Sequence, residues 1–290
     1  MSAAEAVRQE GPLALICGGG SLPLAIADLV AARGRDVVLF PLYGAANPQA
    51  SARYPHHWVH VGQFGRFTRL ARAAGCRDVV FIGSLVRPAL WQLRFDWTTL
   101  KVLPRVMAAY RGGDDHLLSG VARLFEHQGF RLLGAHDVAP EILVPDGVLG
   151  RVQPSARARD DIKLGFDYLR AAGPFDVGQA VVVADKHVLA VEAAEGTDAM
   201  LTRVAQLRAS GRIRASAGSG VLVKAPKPAQ DRRFDLPSIG PKTVEGAVRA
   251  GLAGVAVAAG ETVVAEPEAL VAAADRADIF VVGVPAAPVR

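Results

Sequence analysis

The chain has little sulfur: two cysteines and three methionines in 290 residues. Cys17 and Cys76 cannot by themselves build a disulfide framework or a structural zinc site, and both fall in or beside apolar runs that read as core strands, so a cytoplasmic protein is expected. No apolar run reaches the ~18 residues that a membrane-crossing helix needs. The opening stretch MSAAEAVRQEGP carries acids and lacks an apolar centre, so no secretory leader is expected. Zinc-finger spacing, a basic helix with heptads and an RNP-like aromatic motif are all missing, and no nucleic-acid partner is expected. A P-loop, a serine nucleophile elbow and a kinase signature are missing too, which removes the reaction schemes built on them.

What is present is ordinary globular composition, 51% hydrophobic and 21% charged. The net charge of +5 and pI near 9.5 suit a phosphate-bearing partner or an anionic membrane surface, although a generic arginine-rich surface gives the same balance. From Leu13 to Asp137 continuous apolar strands alternate with amphipathic helical stretches, which predicts a Rossmann-like parallel sheet covered on both faces. Pro, Gly and isolated acids over 138–153 read as a connection. The remainder, 154–290, again alternates helix and strand, with a hairpin turn expected at Asp185 and Lys186. The expected fold is therefore α/β in two domains, residues 1–137 and 154–290, joined by a linker, with no internal repeat.

Three stretches carry polar chemistry. CGGGSLP ends the first strand and opens the first helix, so Gly18, Gly19 and Gly20 could bring backbone N–H groups to a phosphate or sugar, or merely make a tight turn. A dinucleotide fingerprint is disfavoured, because its third glycine would fall on Pro23 and no acid ends the second strand. In AVEAAEGTDAML, Glu192, Glu195 and Asp198 surround Gly196 and Thr197 at a strand end, with Thr197 placed to N-cap the next helix. These carboxylates suit Mg²⁺, a hard cation that often takes only one or two protein ligands. The alternative is that Asp198 favours the helix dipole while the glutamates face water. KAPKPAQDRRFDLPSIG, residues 224–240, holds charges of both signs on a loop stiffened by Pro226, Pro228 and Pro237; it is either a solvated spacer or a rigid frame for catalytic groups. Pro241, Thr243 and Glu245 then open a helix closed by Gly251. His56, His57 and His60 lack the alignment and nearby ligands of a zinc site and read as surface. Asp114 and Asp115 are explained as charges at a helix start.

Taken together, CGGGSLP, the GDD at Gly113–Asp115, VLAVEAAEGTDAML and KAPKPAQDRRFDLPSIGPKT resemble the UDP-2,3-diacylglucosamine pyrophosphatase family of lipid A biosynthesis, in the form distinct from the calcineurin-like phosphoesterases. The similarity runs from about Leu13 to Val284. It implies a Mg²⁺-dependent hydrolase in which water attacks the α-phosphorus, releasing UMP and 2,3-diacylglucosamine 1-phosphate, with two α/β domains holding the lipid product between them. By the same resemblance Asp235 matches the family's essential aspartate. Glu192, Glu195, Thr197 and Asp198 match its acidic motif, and Lys224, Lys227, Gln230, Asp231 and Arg233 its charged loop. The expected metal ligands are Asp235, Asp198 and Glu195. The glycine turn is expected on the polar part of the substrate. An amphiphilic nucleotide-sugar lipid further implies peripheral work at the cytoplasmic face of the inner membrane. The competing class is a non-enzymatic module binding a nucleotide or CoA-like ligand through the glycine turn.

Overall fold

In the computed structural model, residues 11–84, 94–101, 114–175, 177–227, 230–234 and 236–285 are described, without the side chains of 114–119. The chain divides into two compact units. The first is Met1–Pro140 together with Asp231–Asp235, and the second is Glu141–Gln230 together with Leu236–Arg290. A five-residue piece of the charged loop thus belongs with the first unit although it comes late in the chain.

The first unit is built on a four-stranded sheet in the order β2-β1-β3-β4, from β1 (Leu13–Cys17), β2 (Val37–Pro41), β3 (Asp78–Ile82) and β4 (Arg131–Leu133). Every pairing is parallel. Helices α1 (Leu22–Ala32), α2 (Phe64–Ala73) and α3 (Asp114–His127) connect the strands. All five residues of β1 are buried, as a strand covered on both faces requires. On one face Ala14, Ile16 and Val79 pack with Phe67, Phe125 and Phe130. Cys17 and Cys76 lie buried and unpaired, and burial raises their thiols to about 12 and about 11, so neither is a nucleophile near neutral pH. Asp78 is 2% exposed and is held by Arg35 and Arg131. Burial alone would raise its carboxyl, but the two guanidiniums overcome this and hold it below its usual value.

The second unit carries a six-stranded sheet in the order β5-β12-β10-β8-β6-β7. Its strands are β5 (Gly147–Val148), β6 (Ala180–Ala184), β7 (His187–Val191), β8 (Val221–Lys224), β10 (Gly254–Ala258) and β12 (Phe280–Val284). A small parallel pair, β9 (Ser238–Ile239) with β11 (Val263–Val264), stands apart. Helix α4 (Ala156–Ala172) covers one face through Ala158, Ile162 and Leu169. On the other lie α5 (Gly196–Ala209), α6 (Pro241–Arg249) and α7 (Pro267–Arg276), whose Met200, Leu201, Val244 and Leu270 are almost fully buried. Within residues 138–153, β5 pairs antiparallel with β12. The β6–β7 hairpin turns at Asp185 and Lys186, both at positive φ, and the buried Asp161 carboxylate accepts from both of their N–H groups. That turn and the start of α6 at Pro241 stand where the sequence pattern places them.

Candidate active site

Strand direction decides where polar groups collect in the second unit. β8 runs parallel to β10, and β10 parallel to β12, while β6 is antiparallel to both β8 and β7. Hence β7, β8, β10 and β12 all end at one edge of the sheet, the edge at which α/β proteins usually place ligands. Glu192 follows the end of β7, Thr197 lies in the first turn of the helix after it, and Lys224 is the last residue of β8.

These three side chains form one polar chain. The Lys224 ammonium, on a residue only 7% exposed, donates to Thr197 Oγ1 at 3.1 Å and to the Ser238 carbonyl at 3.0 Å. Thr197 in turn donates to Glu192 Oε1 at 2.8 Å, and the other oxygen, Oε2, accepts from the Gln179 N–H at 2.9 Å. Because an ammonium can only donate, the direction of the hydroxyl proton is set, and Glu192 supplies the negative end of the relay. Burying an ammonium is costly unless hydrogen bonds and an opposite charge compensate; here they do so at a strand end.

Thr197 was expected as the N-cap. Instead the helix starts two residues sooner, with Glu195 as its N-cap residue and Gly196 as the first residue of α5, and Thr197 lies inside the first turn. Its hydroxyl is therefore turned to Lys224 and Glu192 rather than to the helix backbone. Glu195 accepts from Arg203 at 2.7 Å and from the Ala193 N–H at 3.1 Å. Its carboxyl is held below the usual range, first by its own backbone N–H and then by the Arg203 guanidinium. Arg203 was not flagged in the sequence. Asp198 is exposed in the first turn of α5. Among the described residues no three His, Cys, Asp or Glu side chains form a metal-sized group. Asp235 lies outside the described residues.

The charged loop separates into two parts. In the second unit, the Lys227 N–H donates to Gln230 Oε1 at 3.1 Å and the Gln230 N–H returns to the Lys227 carbonyl, which folds the segment back on itself. In the first unit, Arg233 grips Asp231 through Nε at 3.0 Å and Nη2 at 2.8 Å, and reaches Glu126 at 2.9 Å. Hydrogen bonding from Arg233 holds Asp231 below the usual carboxylate range, and Asp231 in turn raises Arg233. Phe234 lies 5.2 Å from Phe81. The glutamate partner on α3 is another residue that the sequence alone did not mark.

The glycine turn is closed by backbone hydrogen bonds. The Gly18 N–H donates to the Ile82 carbonyl and the Gly19 N–H to the Ser84 carbonyl, both at 2.8 Å, and the Ser84 N–H returns to Gly19. The ends of β1 and β3 are thereby sewn together at the point where the strand order reverses. A Cβ on Gly18 would lie 2.4 Å from the Ser84 carbonyl oxygen, so the glycine is demanded by chain packing. Two of the three glycines thus have their N–H donors committed inside the protein. Gly20, at φ +94° with open space beside it, shows no such close approach.

Residues 12–142 match the LpxI N-terminal domain and residues 145–282 the LpxI C-terminal domain. The chain is also similar to UDP-2,3-diacylglucosamine pyrophosphatase LpxI of Caulobacter vibrioides, at 47% identity over 272 residues, covering 94% of this chain and 97% of that protein.

Proposed function

We propose, on the premise that this chain belongs to the LpxI family, that it hydrolyses UDP-2,3-diacylglucosamine in lipid A synthesis. Membership is shown by both domain matches, and the observation that carries the activity is the full-length likeness to a relative of that name. In the proposed reaction, a water oxygen bonds to the α-phosphorus and the anhydride bond to the bridging oxygen breaks. UMP leaves with the new oxygen, and 2,3-diacylglucosamine 1-phosphate keeps the bridging one.

The residues divide that work. Anhydride hydrolysis needs charge neutralised on the phosphoryl oxygens and a water held in line with the leaving group. Lys224 supplies positive charge at the strand edge, kept in place by Thr197 and Glu192; Lys227 adds a second cation on the folded-back loop. Asp235 orients the water or takes its proton, a role that rests on the family resemblance. Mg²⁺ would be held in the second unit by Asp198, with water and substrate phosphate oxygens completing its shell, as that ion prefers, and would supply charge neutralisation when bound. Glu195 ranks behind Asp198 as a ligand because Arg203 and the Ala193 N–H each already engage one of its oxygens. Asp231 and Arg233 form a pair whose proposed part is to keep the loop rigid.

The protein works at the cytoplasmic face of the inner membrane in this proposal, since a substrate with two acyl chains resides in a bilayer. The ligand-binding module, its rival, drew on the glycine turn and has no full-length likeness of that kind behind it. Purified protein, given UDP-2,3-diacylglucosamine, should release UMP with Mg²⁺ and stop when the metal is chelated. No UMP under either condition would remove the activity, and UMP release indifferent to chelation would remove the metal.

A further inference from the structure

A second surface, on the first unit, gathers four of the seven exposed large hydrophobic side chains among the described residues. Tyr43, just past β2, is 52% exposed and stacks on His60 with ring centres 4.2 Å apart; Trp58 lies 5.0 Å from the same tyrosine. The 94–101 segment docks beside them, the Arg94 N–H donating to the Val61 carbonyl and the Asp96 N–H to that of Gly62. It presents Phe95, Trp97 and Leu100, which are 41%, 73% and 44% exposed. Cations are interleaved: Lys101 sits over the Trp97 ring at 6.0 Å, and Arg66 Nε reaches the Trp58 carbonyl. Partial burial and the nearby Arg94 and Arg66 charges hold His60 below its usual pKa. The acid of the group, Asp96, is turned inward, accepting from the N–H groups of Arg66 and Thr99 at 2.8 Å each. The outward face is therefore aromatic and cationic.

Exposed Trp and Tyr with lysine and arginine beside them are the composition of a membrane–water boundary, where ring and charge each find their preferred layer. Among the described residues no helix is long and apolar enough to cross a membrane, so such a face would lie on a bilayer rather than span it. We propose that the face formed by Tyr43, Phe95, Trp97, Leu100 and Lys101 docks this protein on the anionic surface of a lipid bilayer. This deepens the membrane placement given above and rests on it, but needs no substrate for its test.

Co-sedimentation without substrate reads the face directly, using vesicles of phosphatidylethanolamine with phosphatidylglycerol against vesicles of phosphatidylcholine alone. The wild-type chain should favour the anionic vesicles, and partitioning should fall about tenfold in Trp97→Ala and in Lys101→Glu, the scale of one interfacial anchor or reversed charge. Both variants should keep wild-type UMP release from substrate in detergent micelles, because neither residue is placed in the hydrolytic site. Equal partitioning of wild type and variants overturns the proposal. So does a raised KM in micelles, which would assign the face to the substrate's acyl chains, or a Trp97-dependent dimer in sedimentation velocity, which would assign it to a second copy. A wild-type chain that binds vesicles yet releases no UMP would sink the enzymatic reading and leave this one standing.

Discussion

Two strand-to-helix junctions invite comparison, the glycine turn after β1 and the acidic turn after β7. Both lie where a strand ends and a helix begins, and both carry residues that suit phosphate chemistry. At the first, the Gly18 and Gly19 donors go to Ile82 and Ser84, so the backbone closes on itself. At the second, Thr197 links Glu192 to a buried ammonium at the end of β8. Topology offers a place for a ligand in each case; the first is tied by backbone hydrogen bonds, whereas the second brings a buried ammonium to the strand edge.

The comparison breaks most visibly at Asp235. Asp235→Asn keeps the size of the side chain and removes its charge, so the variant should fold normally while kcat falls roughly 10²-fold or more. A folded variant within a few-fold of wild type would take Asp235 out of the reaction.

At the glycine turn the expected effect is on folding instead. Gly18→Ala drives a methyl group against the Ser84 carbonyl and should cost about 1–3 kcal/mol of stability in denaturant unfolding. The KM of whatever remains folded should be unchanged. Wild-type stability with a raised KM would return this turn to the substrate.

Thr197→Val tests the relay with a smaller change. It keeps the shape but removes the oxygen that links Lys224 to Glu192, and a lost hydrogen bond of about 1 kcal/mol predicts a several-fold to tenfold drop in kcat. No change in kcat would mean the ammonium is held without the threonine. Smallest of all is Glu195→Gln: with its carboxylate on Arg203 at the surface, Mg²⁺ titration of activity should superimpose on wild type. A rightward shift in that titration would restore Glu195 as a ligand.

The sequence made legible whatever depends on near neighbours. Pro241 and Gly251 marked the limits of α6, Asp185 and Lys186 marked a hairpin turn, and apolar runs marked most strands of both sheets, though β5 falls in the stretch read as a connection. Lys224, Thr197 and Glu192 were each singled out, but only within separate motifs. Their union depends on β7 and β8 running the same way on either side of β6, which no local pattern encodes. The same limit explains the glycine turn, because the partners of Gly18 and Gly19 lie at and just past the end of β3. It explains Glu195 too, whose Arg203 partner lies two helical turns further on.

The claim that the β7–β8 edge is the hydrolytic centre is tested most directly by UMP release from Lys224→Met, a variant that keeps the aliphatic stem and removes the charge, measured alongside its circular dichroism and thermal unfolding. Removing one preorganised cation from a phosphoryl-transfer site should lower kcat about 10²-fold with the fold retained. Turnover within a few-fold of wild type in a folded Lys224→Met protein would contradict the account.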